Sequence, residues 1–195
     1  MAAIVAGNSD MTFNDCTAEC GSYFALTHCV NGWQEEVADI TVTGGDIHTK
    51  KECVLVKSHN MMLDLCDVNI SSDKGILVHT IVNDDPCATK VTKDVFGVNV
   101  VMTDMDVKGD LLHEDTTREM WVMLNSTQLT GAIQHANVAF DKGSKWVATA
   151  DSDVVFVTDV EPAQIDAPAG VTITAKGAEA GEFALASGGK LVVTA

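Results

Sequence analysis

A chain of 195 residues, 46% hydrophobic and with only three prolines, is long enough to bury one core and too apolar to stay disordered. Its formal net charge of −16 argues against nucleic acid or an anionic membrane surface as partner and leaves a basic ligand, a metal ion or plain solubility open. No run of apolar residues reaches the length of a membrane-spanning helix, and the opening MAAIVAGNSD lacks the form of a signal peptide, so an exported protein would carry its export signal outside this chain.

The chain is read best as repeats. Between Met61 and His79 the residues Met61, Leu63 and Leu65 alternate with others, Asp67 follows, then Val68 and Ile70, then Gly75 and His79. With Ile70 as anchor, the same columns recur with anchors Ala18, Val42, Val107, Leu129 and Val147. Three residues before the anchor stand Asp15, Asp39, Asp67, Asp104, Ser126 and Ser144. Five before it stand Phe13, Val37, Leu65, Met102 and Leu124, with Lys142 as the exception; seven before it the exception is Glu35. Alternation with a period of two marks strands with one buried face. The change of phase at Asp or Ser marks a corner, because short polar side chains hydrogen-bond their own backbone through a bend.

In chain order, the first predicted coil covers residues 9–26, with its third strand at Tyr23–Leu26. Asn31–Trp33 lead into the second, which passes Val42 and ends near His48; the third is the reference unit. Val82–Asp94 has no periodicity and reads as a surface loop. Coils four, five and six are expected at Val98–His113, Met120–His135 and Val138–Val157. Connections after the third strand are longest at Ile81–Gly97 and almost vanish between His135 and Val138, so insertions crowd one side and dwindle toward the C-terminus. From Val160 the pattern breaks at Pro162, Pro168 and Gly170, and short strands in VTITAKG and KLVVTA are expected to cap the last coil. Repeats that cannot bury their apolar faces alone must stack. The fold expected is all-β, a right-handed parallel β-helix of about six coils over residues 9–160 with capping strands over 161–195, in one domain.

The run NSTQLTGAI, GSKWVATADSDV, IDAPAGVTITAKG and SGGKLVVTA resembles the C-terminal part of right-handed β-helix surface proteins of anaerobic bacteria, often described as adhesin-like. The likeness is clearest over residues 98–195. It implies a parallel β-helix and an extracellular or cell-surface location, and it carries over no functional residue.

Four units end in Gly-x-x-x-His, giving His48, His79, His113 and His135. Equivalent residues in stacked coils lie about 4.8 Å apart. The row reads first as a packing ladder, then as a site for zinc or copper, then as a group whose protons repel one another. The acidic column reads first as corner residues and secondly as calcium ligands. Asp84 with Asp85, or Asp104 with Asp106 and Asp110, are the carboxylates available for glycoside cleavage. Trp33, Trp121 and Trp146 are core residues or sugar-stacking rings. Six cysteines, Cys16, Cys20, Cys29, Cys53, Cys66 and Cys87, show no zinc-ribbon spacing, and buried thiol and disulfide both stay open.

The expected function is that of a non-catalytic, adhesin-like surface protein. It would present loops to a glycan or protein ligand, or assemble with its own copies, as an oligomer or filament, by coil stacking. A polysaccharide lyase or glycoside hydrolase on the same fold, and a metal-binding protein using the histidine row, are the alternatives.

Overall fold

Alternating side chains on one chain can share a core only if each strand finds partners on both edges, and here those partners come from the preceding and following turns of a coil. The computed structural model describes residues 1–28, 36–85, 96–115 and 117–195. The expected lead-in at Asn31–Trp33 and most of the Val82–Asp94 loop therefore lie outside the described residues, as do Cys29 and Cys87.

β1 (Ala3–Val5) precedes the first coil, which comprises β2 (Ser9–Cys20) and β3 (Ala25–His28). The second has β4 (Val37–Thr49) and β5 (Val54–Lys57), and the third β6 (Asn60–Cys66), β7 (Asn69–Ser72) and β8 (Ile76–Ile81). The fourth has β9 (Val98–Thr103), β10 (Asp106–Lys108) and β11 (Asp110–His113). The fifth has β12 (Met120–Asn125), β13 (Gln128–Thr130) and β14 (Ile133–Phe140), and the sixth β15 (Lys145–Val147) and β16 (Ser152–Phe156). Then come β17 (Ile165–Asp166), β18 (Thr172–Lys176), β19 (Gly181–Ala184) and β20 (Lys190–Thr194).

Three faces result, and the fold is a parallel β-helix. The first face stacks the starts of β2 and β4 with β6, β9, β12, the end of β14 and β16, all parallel. The second stacks the ends of β2 and β4 with β7, and separately β10, β13, β15 and β17. The third stacks β1, β3, β5, β8, β11 and the start of β14. The parallel ladder continues past Val160 through β17, β18 and β20, and the reversal comes with β19, which pairs antiparallel with β20.

The register corrects two anchors. Ile47, not Val42, pairs with Ala18 and Ile70. Trp146, not Val147, pairs with Leu129. The cause in coil two is a pair of glycines: β4 turns its corner at Gly44 and Gly45, with φ of 66° and 85°, where coils one, three, four and five use a left-handed Asp or Ser. Asp15, Asp67, Asp104 and Ser126 hold that conformation at φ of 46°, 49°, 54° and 49°. Asp39 is therefore no corner residue; it lies within the first face beside Asp10 and Met62. With the register corrected, one core row reads Phe13, Val42, Leu65, Met102, Leu124 and Phe140, apolar throughout.

Apart from the partly exposed Phe13, that row and the next, Ile40, Leu63, Val100, Val122 and Val138, are almost wholly buried and fill the centre of the coil. Trp146 lies within the core, between Leu129 and Ile165: it is 0% exposed and its indole N–H donates to the Gly131 carbonyl at 2.8 Å. A buried indole needs such an acceptor, so this tryptophan is structural. Between third and first faces the corner opens after β3, β8 and β11, and collapses in β14 to a bulge at His135, φ 57°.

Candidate binding face

Alternation that buries one side of each first-face strand pushes the other side outward, and the register sets what stands beside what. One outer row runs Asp10, Asp39, Met62, Asn99, Trp121, Asn137 and Val155. The next runs Thr12, Thr41, Asp64, Val101, Met123 and Ala139. Across β9, β12 and the end of β14 the outward side chains are Asn99, Val101, Thr103, Trp121, Met123, Asn125, Asn137 and Ala139. All are partly exposed and none is charged. In a chain of net charge −16 this is a neutral island. Trp121 sits at its centre with a carboxamide on the strand to either side, at the spacing of neighbouring strands, about 4.8 Å. The Asn99 amide donates to the Phe96 carbonyl at 3.3 Å, and Phe96 itself is 50% exposed at the edge of the island. Asn137 makes no side-chain hydrogen bond among the described residues.

The open corner beside this face rests on buried polar residues. Asn60, at the start of β6, donates from its amide to the Glu36 carbonyl at 3.0 Å and accepts from the Gly97 N–H at 3.2 Å. It thus ties together the points where the chain re-enters the first face in coils two and four. Arg118 donates from Nε to the same Asn60 oxygen at 3.3 Å and pairs with buried Asp115 at 3.4 Å. His113 lies beneath them, its Nε2 against the Arg118 carbonyl at 2.9 Å and its Nδ1 against the Thr80 hydroxyl at 2.5 Å, so Nε2 carries the proton and Nδ1 accepts. Burial lowers the His113 pKa, against the pull of the Arg118 carbonyl and Asp115. His59 is buried beside this cluster, its nitrogens without a hydrogen-bond partner among the described residues, and burial, Arg118 and His28 depress its pKa to about 4.

The four repeat histidines do not form a row. His48 is on the second face between Glu19 and Ser71, because Gly44 before it is a first-to-second corner. His79 is level with Leu55 and Leu112. A register shift between Asp110 and Leu111 sets His113 beside Thr80 instead, and His135 stands at the bulge. Among the described residues no group of three or more His, Cys, Asp or Glu is placed to hold a metal ion.

Two of these histidines join other constellations. His48 Nδ1 meets the Ser71 hydroxyl at 3.1 Å and its Nε2 meets Asp73 at 3.0 Å. That is the residue set of acyl transfer, but the N–H groups beside it are engaged: Asp73 donates to the Thr49 carbonyl, Gly75 to that of Ser72 and Lys74 to the Ser72 hydroxyl. With those donors engaged, the geometry is that of a polar surface ladder rather than an oxyanion site. His79 stands between Glu52 at 3.6 Å and Glu114 at 3.5 Å. Burial opposes ionisation of Glu52, yet its own backbone N–H, the Lys74 ammonium and His79 together hold its carboxyl below the usual range.

Of the candidate carboxylates, Asp84, Asp85 and Asp110 are engaged. Asp84 and Asp85 both pair with Lys57, at 3.4 and 3.3 Å, and keep its ammonium charged against burial. Asp104 turns a corner, and Asp110 accepts the Ala132 N–H at 2.7 Å. Cys16, Cys20, Cys53 and Cys66 are free thiols.

No protein-family model, curated protein or solved structure matches the chain. No helix among the described residues is long and apolar enough to cross a membrane.

Asn60, Glu52 and the Arg118 pair are absent from the repeat columns. Arg118 carried a signal nonetheless: it is the only arginine in the sequence, placed just before a strand.

Proposed function

We propose that this protein is a non-catalytic binding scaffold whose first face takes a neutral glycan, in a cell-surface or extracellular setting. The observation that carries the reading is the row Asn99, Trp121, Asn137 inside an uncharged island. An indole face packs against the C–H face of a sugar ring by dispersion and apolar contact. Carboxamides both donate and accept, as hydroxyl groups do. A charged ligand would leave its charge without a counter-charge on this patch, which selects for neutral sugars. The rigid ladder beneath sets the spacing of these groups before any ligand arrives, which lowers the cost of binding.

The test is a glycan-array screen of the 195-residue protein, followed by calorimetry with the best neutral oligosaccharide. Binding is expected to fall about fivefold or more in Trp121→Ala, the loss of one stacking platform worth about 1–3 kcal/mol, and severalfold in Asn137→Ala. Binding confined to acidic sugars, no binding at all, or undiminished binding by Trp121→Ala would overturn the reading.

A further inference from the structure

A second surface, independent of the neutral island, lies where β16 leaves the coil and the β18–β19 connection folds beside it. The two segments leave a cleft of about 320 Å³. Its walls include Phe156, Phe183, Leu191 and Val193. Leu191 and Val193 belong to the core, whereas Phe156 and Phe183 pack against that core and keep part of their surface open. Phe156 is braced edge-on by Phe140 at 6.2 Å between ring centroids. The volume is at the lower end of small-molecule sites, which run from about 300 Å³ upward.

The polar complement of this cleft is one-sided. Asp159, Glu161 and Glu179 line it, and no lysine, arginine or histidine does. None of the three carboxylates has a salt-bridge partner among the described residues; the nearby Glu182 is the one that pairs with Lys190, at 3.8 Å. An apolar floor under unpaired negative charge rejects anionic ligands and gives neutral ones only the area term. It favours a molecule with an apolar body and one cationic group, since that buries the body and meets the carboxylates with charge-assisted hydrogen bonds.

We propose that this cleft binds a small apolar amine, its ring or alkyl chain between Phe156 and Phe183 and its ammonium group toward Glu161 and Glu179. The experiment is a titration of the isotope-labelled protein, followed by amide NMR at neutral pH and 0.15 M salt, with three probes of one shape. They are phenethylamine, 2-phenylethanol and 3-phenylpropionate. The amine is expected to shift the amides of Gly177, Ala178 and Phe183 saturably and to bind about tenfold more tightly than the alcohol, the worth of one charge-assisted contact; the acid should leave them unmoved. The double variant Glu161→Gln/Glu179→Gln, with its spectrum otherwise unchanged, should bind amine and alcohol alike. Equal affinity of the unaltered protein for amine and alcohol would overturn the proposal. So would shifts scattered over the acidic surface, or an amine preference that survives the double variant. Loss of glycan binding in Trp121→Ala would leave these results as they are, so the two proposals fail separately.

Discussion

His59 offers the sharpest test of how this core is built. The side chain is 1% exposed, with the Arg118 guanidinium and the His28 imidazole as neighbours. Burial first, then Arg118 and His28, lowers its pKa from 6.5 to about 4. The unfolded chain therefore binds a proton between those values that the folded chain refuses, so stability is complete above pH 6.5 and drains away as the pH falls toward 4. Integrated from pH 7.5 to pH 5, this one group removes about 2 kcal/mol. His113, depressed in the same direction, adds to the loss. Above pH 5 the depressed carboxyls Glu52, Asp141 and Asp166 remain ionised and contribute little. The assay is urea unfolding at pH 7.5 and pH 5, with unfolding slopes compared. In His59→Leu the difference between the two pH values should shrink by about 2 kcal/mol whatever the variant's absolute stability. A pH dependence identical in the variant and the parent would refute the reasoning.

Three further outcomes follow from particular contacts. Gly45→Ala places a methyl group on the Cys16 backbone at a φ of 85°, so it should lose about 1–3 kcal/mol in urea unfolding. Gly21→Ala, with nothing near it, should stay within about 0.5 kcal/mol; equal effects would contradict the corner geometry. Arg118→Met leaves buried Asp115 without its ion partner and should lose about 3–5 kcal/mol, with part restored by adding Asp115→Asn; a loss below about 1 kcal/mol would show the pair to be dispensable. Burial first, then the neighbouring Cys20, raises the Cys53 thiol to about 11, against a hydrogen bond from Thr49. Alkylation at pH 8, read peptide by peptide, should therefore reach the part-exposed Cys16 and Cys66 well before Cys53.

Much of the coil could be read from the chain because solenoid stacking repeats its constraints. The apolar column through Phe13, Leu65, Met102 and Leu124 and the left-handed corners at Asp15, Asp67, Asp104 and Ser126 each answer to one local demand, a buried position or a positive φ. Coil two escaped because two glycines satisfied its corner with no side chain to mark the column. That shifted its anchor from Ile47 to Val42 and gave Asp39 a corner role it lacks. The exception at Lys142 has a different cause: Trp146 pairs with Leu129 and Phe140 with Leu124, six residues apart instead of five, so this corner holds one residue more. The histidine row failed for a subtler reason. Gly-x-x-x-His fixes a distance along the chain but not which corner the glycine turns, and a register shift near Asp110 moved His113 off the level of His79. The neutral island depended on outward neighbours across strands far apart in sequence, so it became visible only with the register. Trp121 and Trp146 look alike in the chain, and alternation turns one outward and the other into the core.

The register of the first face underlies both the fold and the binding proposal, and proton-to-proton contacts in solution report it directly. Measured on labelled protein, nuclear Overhauser effects should connect the backbone of Trp121 with that of Asn99 on one side and Asn137 on the other. Contacts from Trp121 to Val98 or Val100 in place of Asn99, or to neither strand, would contradict it.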